Sequence, residues 1–264
     1  MSRIRAYDAS LNGVLGVAIV DLQSSRILNH NGETVFPQAS SIKIPIMMEV
    51  FTAARSGKLK LDGEVTLQKT ESVGGSGHLR LLLRSRPLTL TVRDLITAMI
   101  ETSDNTATNK LIDLVGMDSV NGLLTEMGFQ KTRLQRRMLD SKAASEDREN
   151  IATPLEMARL VELLYRGKAV DGDASKDMIE ILKLVEADFR RTIPLNVSVA
   201  SKPGSVAGVR AETGIIFLDK RPFVLSVMST FVDSQTNPIP AITKMVFEHF
   251  EKLAASNRYG HKLQ

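Results

Sequence analysis

A serine and a lysine three residues apart have the first spacing in this chain that could support covalent chemistry. Ser40 and Lys43 stand in Ser-Ser-Ile-Lys, where an apolar helical pattern begins. Three residues of helix place both on one face, with Cβ atoms about 5–6 Å apart. A neutral lysine there could accept the serine proton, and N–H groups at the helix start could stabilise an oxyanion. An N-cap serine beside a solvated lysine is the structural alternative.

A second motif, Ser103-Asp104-Asn105, falls in a break between two apolar helical segments. A hydroxyl and an amide can both project from such a break into a cleft. Capping of the second helix by Ser103 or Asp104 would explain the same residues without any chemistry.

A third motif, Lys202-Pro203-Gly204-Ser205, follows a late strand. A lysine there can hold a substrate carboxylate, and Gly204 would let a ligand approach the backbone. A strand-ending turn is the structural alternative, because proline, glycine and serine are typical turn residues.

Composition excludes several other kinds of chemistry. The 264 residues include no cysteine, which rules out disulfides, thiolate zinc sites and a cysteine nucleophile. The four histidines (His30, His78, His249 and His261) show no metal-ligand spacing. A net charge of +4 is spread thinly, so nucleic-acid binding is not expected. With 43% hydrophobic residues the chain can bury a sizeable core. We expect no metal and no organic cofactor.

Apolar periodicity predicts strands at both ends of the chain and helices between them. Strands are expected at 13–21, near Ile27, and at 197–200, 209–218 and 223–232. Helices are expected at 41–54, 91–100, 106–115, 119–127, 154–165, 176–185 and 240–255. Both termini then complete one antiparallel sheet, which indicates an α/β (α+β) fold with one domain of two lobes. The α/β lobe would comprise about 1–35 and 186–264, and the helical lobe about 36–185.

Taken together in this order, the three motifs resemble those of the penicillin-recognising serine hydrolases, and within them the class A β-lactamases. The surrounding segments GVAIVDL, FPQASSIKIPI, LTVRDLITAMIETSDNTATN and VRAETGIIF are also similar to that family. The resemblance covers nearly the whole chain. It implies the β-lactamase/transpeptidase-like fold, in which an antiparallel five-stranded sheet flanked by helices packs beside an all-helical lobe.

The resemblance also implies roles around the nucleophile. Ser40 would form an acyl-enzyme and contribute its backbone N–H to the oxyanion site. Lys43 would activate Ser40, and Ser103 would relay a proton to the leaving nitrogen. Asn105 would hydrogen-bond Lys43 or the substrate amide.

Substrate-binding roles follow in the same way. Lys202 would pair with the substrate carboxylate and tune Ser103, while Ser205, just after Gly204, would supply the second oxyanion N–H. Arg210 could add a carboxylate contact, although an ion pair with Glu212 explains it equally well. His78 stands near the position of an aromatic gate in the family, with an ordinary exposed histidine as the alternative.

Two departures from the family concern substrate binding and deacylation. Pro203 replaces a hydroxyl-bearing residue and lacks a backbone donor. In the loop after Phe129, Met138 stands where class A enzymes carry their catalytic glutamate, two residues after the loop arginine, Arg136. The residue that usually pairs with that arginine falls at Asn150, so Glu149 is expected to form the ion pair.

Three carboxylates remain in this loop, at Asp140, Glu146 and Asp147. Leu139-Asp140 resembles the family's Leu-Asn pair, whose amide helps to hold the hydrolytic water. Asp140 is therefore the preferred residue for handling that water, and a loop-capping aspartate is the alternative.

The sequence thus predicts a serine hydrolase that acts on β-lactams through acyl-Ser40, with slow deacylation. The alternatives are a D-Ala-D-Ala peptidase, amidase or esterase, and a penicillin-binding or sensor protein that acylates without turnover. The partner would be a small molecule, either a β-lactam or an acyl-D-Ala-like peptide, and the protein would be a monomer. No segment is apolar enough to span a membrane. The first residues lack the apolar core of a signal peptide. The resemblance implies a periplasmic or secreted protein, and a cytoplasmic location is the alternative.

Overall fold

A five-stranded antiparallel sheet is the centre of the structure, a computed structural model that describes residues 1–257 and 259–262. The strand order is β2-β1-β9-β8-β7. These strands are β1 (Val14–Asp21), β2 (Ile27–His30), β7 (Ser198–Val206), β8 (Val209–Phe217) and β9 (Phe223–Thr230). The first two and last three strands meet because β1 pairs with β9 along its whole length. The fold predicted from the sequence is confirmed.

Two short two-stranded sheets and eleven helices complete the described part of the chain. The small sheets pair β3 (Phe36–Pro37) with β6 (Ile151–Ala152) and β4 (Glu64–Leu67) with β5 (Leu88–Thr91). The helices are α1 (Ser2–Ser10), α2 (Lys43–Arg55), α3 (Leu79–Leu82), α4 (Val92–Glu101), α5 (Asn105–Val115), α6 (Met117–Glu126), α7 (Ser141–Ser145), α8 (Pro154–Tyr165), α9 (Gly172–Leu182), α10 (Asp188–Thr192) and α11 (Ile239–Ala254).

Both faces of the sheet are buried, which explains why its central strands are almost continuously apolar. One apolar cluster joins the sheet to α2, α4, α5 and α8. The other joins the opposite face to α1, α10 and α11. The sheet is therefore a rigid layer between helices, and β7 forms one of its edges. No helix among the described residues is long and apolar enough to cross a membrane.

Helix α8 begins as its sequence predicts. The Thr153 hydroxyl accepts from the N–H of Glu156 at 3.1 Å, and Pro154 occupies the first turn. The Glu156 carboxylate also accepts from the N–H groups of Gln130 and Thr132. The start of α8 therefore fixes the beginning of the loop that carries Met138.

Strand β7 and helix α9 differ from their predicted bounds, and helix α1 is absent from the prediction. Strand β7 continues through Pro203 and Gly204 to Val206, so the turn interpretation of Lys202–Ser205 is wrong. Pairing with β8 holds these residues extended, and proline is tolerated because β7 is an edge strand. Helix α9 begins at Gly172, not at 176, because the Asp171 side chain caps it. Helix α1 was not predicted, since it buries only Ile4 and has little apolar periodicity.

Candidate active site

Ser40 lies in a 3-10 turn, Ala39–Ile42, that leads directly into α2. In a 3-10 turn residues three apart are eclipsed, so Ser40 and Lys43 share one face even more closely than in an α-helix. Ser40 is half-buried and lines a cleft, whereas Ser41 is buried and its hydroxyl donates to the Lys202 carbonyl at 3.2 Å. Ser41 therefore anchors β7, and Ser40 is the serine that faces the cleft.

The Lys43 side chain is fully buried, and polar groups from the break between α4 and α5 surround its amine. Nζ donates to the carbonyl oxygen of Ser103 at 2.7 Å and to Oδ1 of Asn105 at 3.0 Å. Oγ of Ser103 lies 3.0 Å from the same nitrogen. Burial lowers the Lys43 pKa well below its ordinary value, and the charge of Lys202 lowers it further, against an opposing effect of Asp104.

The Ser103 backbone makes this arrangement possible. Its φ of 56° is in the left-handed region, which non-glycine residues rarely occupy and which costs about 1–3 kcal/mol. Asp104, which is buried, accepts from the N–H of Ala107 at 2.9 Å and of Leu79 at 2.9 Å. The capping alternative for Asp104 is thus present beside the contacts of Ser103 and Asn105 with Lys43. The structure shows the predicted cap, and it also shows that this motif contacts the Lys43 amine.

Gly204 brings β7 against the backbone of the 3-10 turn. A Cβ at Gly204 would lie 2.4 Å from the carbonyl oxygen of Gln38 and 2.8 Å from the nitrogen of Ser40. Glycine is required at this position because the chain's own backbone lies too close for a Cβ. Ser205 follows it and lines the same cleft as Ser40.

Lys202, on the same strand, is 1% exposed, and burial lowers its pKa to about 7. Its Nζ lies 3.3 Å from the carbonyl oxygen of Pro203. The buried amine therefore has few partners, and Lys202 is not among the residues that line the cleft of Ser40.

The cleft in front of Ser40 has a volume of about 200 Å³ and is lined by Ala39, Ser40, Gly75, Ser76, Asn105, Arg136, Met138, Leu139, Asn150, Ser205 and Val206. Met138 is fixed there through its backbone. Its N–H donates to Oδ1 of Asn109 at 2.9 Å, and its carbonyl accepts from Nδ2 of Asn109 at 3.2 Å. A thioether thus occupies the wall of the cleft where the family places its general base.

Polar contacts hold the loop that carries Met138 close to the nucleophile. Arg136 forms the expected ion pair with Glu149, at 2.8 Å. The buried Asn150 amide accepts from the backbone N–H groups of Gln135 and Arg136 and donates to the Arg136 carbonyl. The Asn150 carbonyl accepts from the N–H of Gln38, two residues before Ser40. The loop and the nucleophile therefore share one hydrogen-bond network.

Seven predicted site residues are not among those that line this cleft: Lys43, Ser103, Asp140, Lys202, Gly204, Arg210 and His78. Of these, Asp140, His78 and Arg210 also make none of the contacts described above. Asp140 caps α7, and its side chain accepts from the N–H of Ala143 at 2.9 Å. His78 is exposed and precedes α3. Arg210 donates to the carbonyls of Val206, Val209 and Ser234, and the ion pair with Glu212 that was the alternative to a substrate contact is not formed. The carboxylate of Glu212 is instead buried and accepts from Ser201.

Sequence reasoning missed the roles of Asn109 and Asn150. Asn109 is the last residue of the Thr-Ala-Thr-Asn segment and lies one helical turn after Asn105, a spacing that places both on one side of α5. That spacing was the available signal. Asn150 was noted only as the position of the arginine's usual partner, and its bonds to backbone groups about fourteen residues away left no signal in the sequence.

The architecture is the β-lactamase/transpeptidase-like fold, which β-lactamases and PBP-A share. The chain belongs to the β-lactamase enzyme family, whose sequence profile matches residues 1–250. Its known relatives include named β-lactamases. It is 24% identical over 263 residues to β-lactamase CARB-3 of Pseudomonas aeruginosa, covering 97% of this chain and 90% of that protein. It is 28% identical over 208 residues to CTX-M-97 of Escherichia coli, covering 77% and 70% respectively.

Solved structures that are similar to this chain also include β-lactamases. A β-lactamase from Sphaerobacter thermophilus superposes with a TM-score of 0.87 at 31% identity, covering 95% of this chain and 96% of that one. A single-substitution variant of the class A β-lactamase of the last common ancestor of Gram-negative bacteria has a TM-score of 0.86 at 26% identity, covering 95% and 98%. PBP-A has a TM-score of 0.86 at 23% identity, covering 95% of each chain, which shows the shared fold.

Gly204→Ala is expected to abolish acylation of Ser40 and to lower the free energy of unfolding by about 1–3 kcal/mol. The added methyl group would push β7 away from the backbone of the 3-10 turn. Urea unfolding and an acylation assay measure both effects. Gly122→Ala is the control, because a Cβ at Gly122 meets nothing within 4 Å inside α6. That change should stabilise the protein by about 0.5–1 kcal/mol. Normal acylation by the Gly204→Ala protein would contradict the close-packing interpretation.

Proposed function

We propose that this protein reacts with β-lactams through a covalent acyl-Ser40 intermediate and hydrolyses that intermediate slowly. The observation that carries the proposal is the contact of the buried Lys43 amine with Ser103 and Asn105, next to a serine that faces a cleft. Family membership supports hydrolysis in general. The named β-lactamases among the relatives support β-lactams as the substrate class.

The chemistry begins with a neutral Lys43, which burial favours. A neutral amine has two N–H groups and one lone pair. The carbonyl oxygens of Ser103 and Asn105 accept the two N–H groups. Ser103 Oγ lies 3.0 Å from the same nitrogen, so its hydroxyl must turn away from the lone pair. The lone pair then takes the proton of Ser40 while Ser40 Oγ attacks the lactam carbonyl. When the C–N bond breaks, Ser103 passes a proton from Lys43 to the leaving nitrogen.

Two groups would act on the rest of the substrate. The backbone N–H groups of Ser40 and Ser205 would donate to the oxyanion, a contribution worth about 10²–10³-fold per donor in serine hydrolases. Lys202 would pair with the substrate carboxylate. Pro203, beside it, offers no hydroxyl for that carboxylate, so Lys202 carries more of the recognition here.

Deacylation is the slower of the two steps of this reaction. Water that attacks the acyl ester must lose a proton, and a positioned base is worth about 10²–10⁴-fold. The Met138 side chain cannot accept that proton. A penicillin-binding or sensor protein, which keeps its acyl group, is therefore the second candidate function. Asp140 is the preferred carboxylate for the remaining hydrolysis, although its side chain also caps α7.

The first test is intact-protein mass spectrometry over time after mixing with a penicillin and with a chromogenic cephalosporin. A transient adduct supports a β-lactamase, and a persistent adduct supports a penicillin-binding protein. Absence of an adduct together with absence of β-lactam turnover would contradict the proposal and favour a peptidase or an esterase. Peptide mapping should locate the adduct on Ser40, and Ser40→Ala should abolish it. Ser41→Ala should retain it, because the Ser41 hydroxyl is already bonded to β7.

Lys202→Ala should slow acylation by an anionic penicillin about tenfold to a hundredfold, because a charge-assisted hydrogen bond contributes about 1.5–3 kcal/mol. The methyl ester of the same penicillin lacks the anionic carboxylate and should be affected far less. Acylation rates for the two compounds measure the difference. Equal losses would mean that Lys202 serves structure or proton transfer instead.

Deacylation should limit turnover, so that product forms in a burst followed by a slow phase. Met138→Glu should accelerate the slow phase, since the Asn109 clamp would hold the new carboxylate in the cleft wall. Asp140→Asn should slow that phase and leave the burst nearly unchanged. Asparagine caps helices as well as aspartate does, so this variant removes the charge and keeps α7. Unchanged turnover by Asp140→Asn would exclude Asp140 as the base.

A further inference from the structure

A cavity of about 290 Å³ lies between α1 and α11, on the sheet face opposite α2. It is lined by Ile19 of β1 and Leu28 of β2, which are cross-strand partners. Ile4 of α1 and Met245 and Val246 of α11 complete the apolar lining. Ile4, Ile19 and Val246 are each buried. Four elements of the fold thus build one apolar cavity that the proposed chemistry does not use.

The ionisable side chains that line this cavity are all basic. They are Arg3 of α1 and His249 and Lys252 of α11, and no acidic residue is among the described residues of the lining. Met245, His249 and Lys252 are spaced four and three residues apart, which places them on one side of α11. The apolar lining therefore continues into basic side chains along this helix.

Two of the three basic residues have no acidic partner. Arg3 pairs with Glu248 at 3.2 Å. Neither His249 nor Lys252 forms an ion pair with a residue that the structure describes. Burial lowers the pKa of His249, and neighbouring positive charges, among them Lys252 and Arg221, lower it further. Positive charge therefore predominates at this end of the cavity.

An apolar cavity that ends in basic side chains fits an amphiphilic organic anion. The chain of such a ligand would leave water for the apolar lining, which strengthens binding about fourfold for each methylene group. Its carboxylate would accept charge-assisted hydrogen bonds from Lys252 and His249. A water molecule takes up about 30 Å³ and a methylene group slightly less, so the cavity has room for about ten carbon atoms.

We infer that this cavity is a second binding site, separate from the cleft of Ser40, for a linear carboxylate of medium chain length. The chain would lie between Ile19, Leu28 and Val246, and the carboxylate would lie at Lys252. Such a ligand binds the folded protein only, so it stabilises that state. The inference does not depend on the proposed function, because the two sites share no lining residue.

The first test is titration calorimetry of the full chain with hexanoate, octanoate and decanoate, each below its micelle concentration. Affinity should rise about fourfold for each added methylene group. Decyltrimethylammonium, which has the same chain length as decanoate and the opposite charge, and inorganic phosphate, which has no chain, should bind far more weakly. Absence of decanoate binding, an affinity independent of chain length, or equal affinity for either comparison compound would overturn the inference.

Two variants locate the ligand. Lys252→Gln should weaken decanoate binding about fivefold, because a partly exposed charge pair contributes up to about 1 kcal/mol. Met245→Phe should fill the cavity and weaken binding by more than about tenfold. Lys244→Gln is the matched control, since Lys244 is an exposed lysine of α11 that does not line the cavity. Unchanged binding in Lys252→Gln or in a folded Met245→Phe protein would overturn the inference.

A carboxylate could instead enter the cleft of Ser40 and pair with Lys202, and a third variant separates the two sites. Lys202→Ala should bind decanoate as tightly as the wild type, and loss of binding in this variant would overturn the inference. Decanoate at one hundred times its Kd should also raise the melting temperature of the wild type and of Ser40→Ala by about 5–10 °C. If no β-lactam acylates Ser40, the proposed function fails, and these binding measurements still decide the inference.

Discussion

The site depends on burying the Lys43 amine among uncharged hydrogen-bond partners. The hydrogen-bond partners of Lys43 in the described chain are a backbone carbonyl, an amide oxygen and a hydroxyl, and none is a carboxylate. Such partners orient the amine while burial favours its uncharged form. The left-handed Ser103, the cap at Asp104 and the 3-10 turn before α2 all serve this one arrangement.

Much of the fold could be predicted from the sequence because its main elements are strongly periodic. Strands β1, β8 and β9 and helices α4, α8 and α11 carry patterns that local rules describe well. The continuation of β7 through Pro203 and Gly204 was hidden, because residues that usually end a strand are held extended by β8 and by the 3-10 turn. Tertiary packing decided this boundary against local preference.

The site was predictable as a set of residue types, and its three-dimensional details were not. The motifs located Ser40, Lys43, Ser103 and Asn105, which the structure brings together. The left-handed backbones of Ala39, Ser103 and Leu139 left no trace in the sequence, since none of these residues is glycine. The hairpin partners of Arg210 were also hidden, because its three acceptors are backbone carbonyls. Interactions with backbone atoms do not depend on the partner's side chain, so the sequence gives no sign of them.

The hydrogen bond between Asn150 and Gln38 limits how this protein could evolve. It joins the end of the Met138 loop to the segment that carries the nucleophile, and the β3–β6 pairing repeats that connection. A change of loop length alters the path between these two anchors, so it also acts on the position of Ser40. The loop is thus not a module that can be exchanged between relatives on its own. Selection on either segment therefore acts on both.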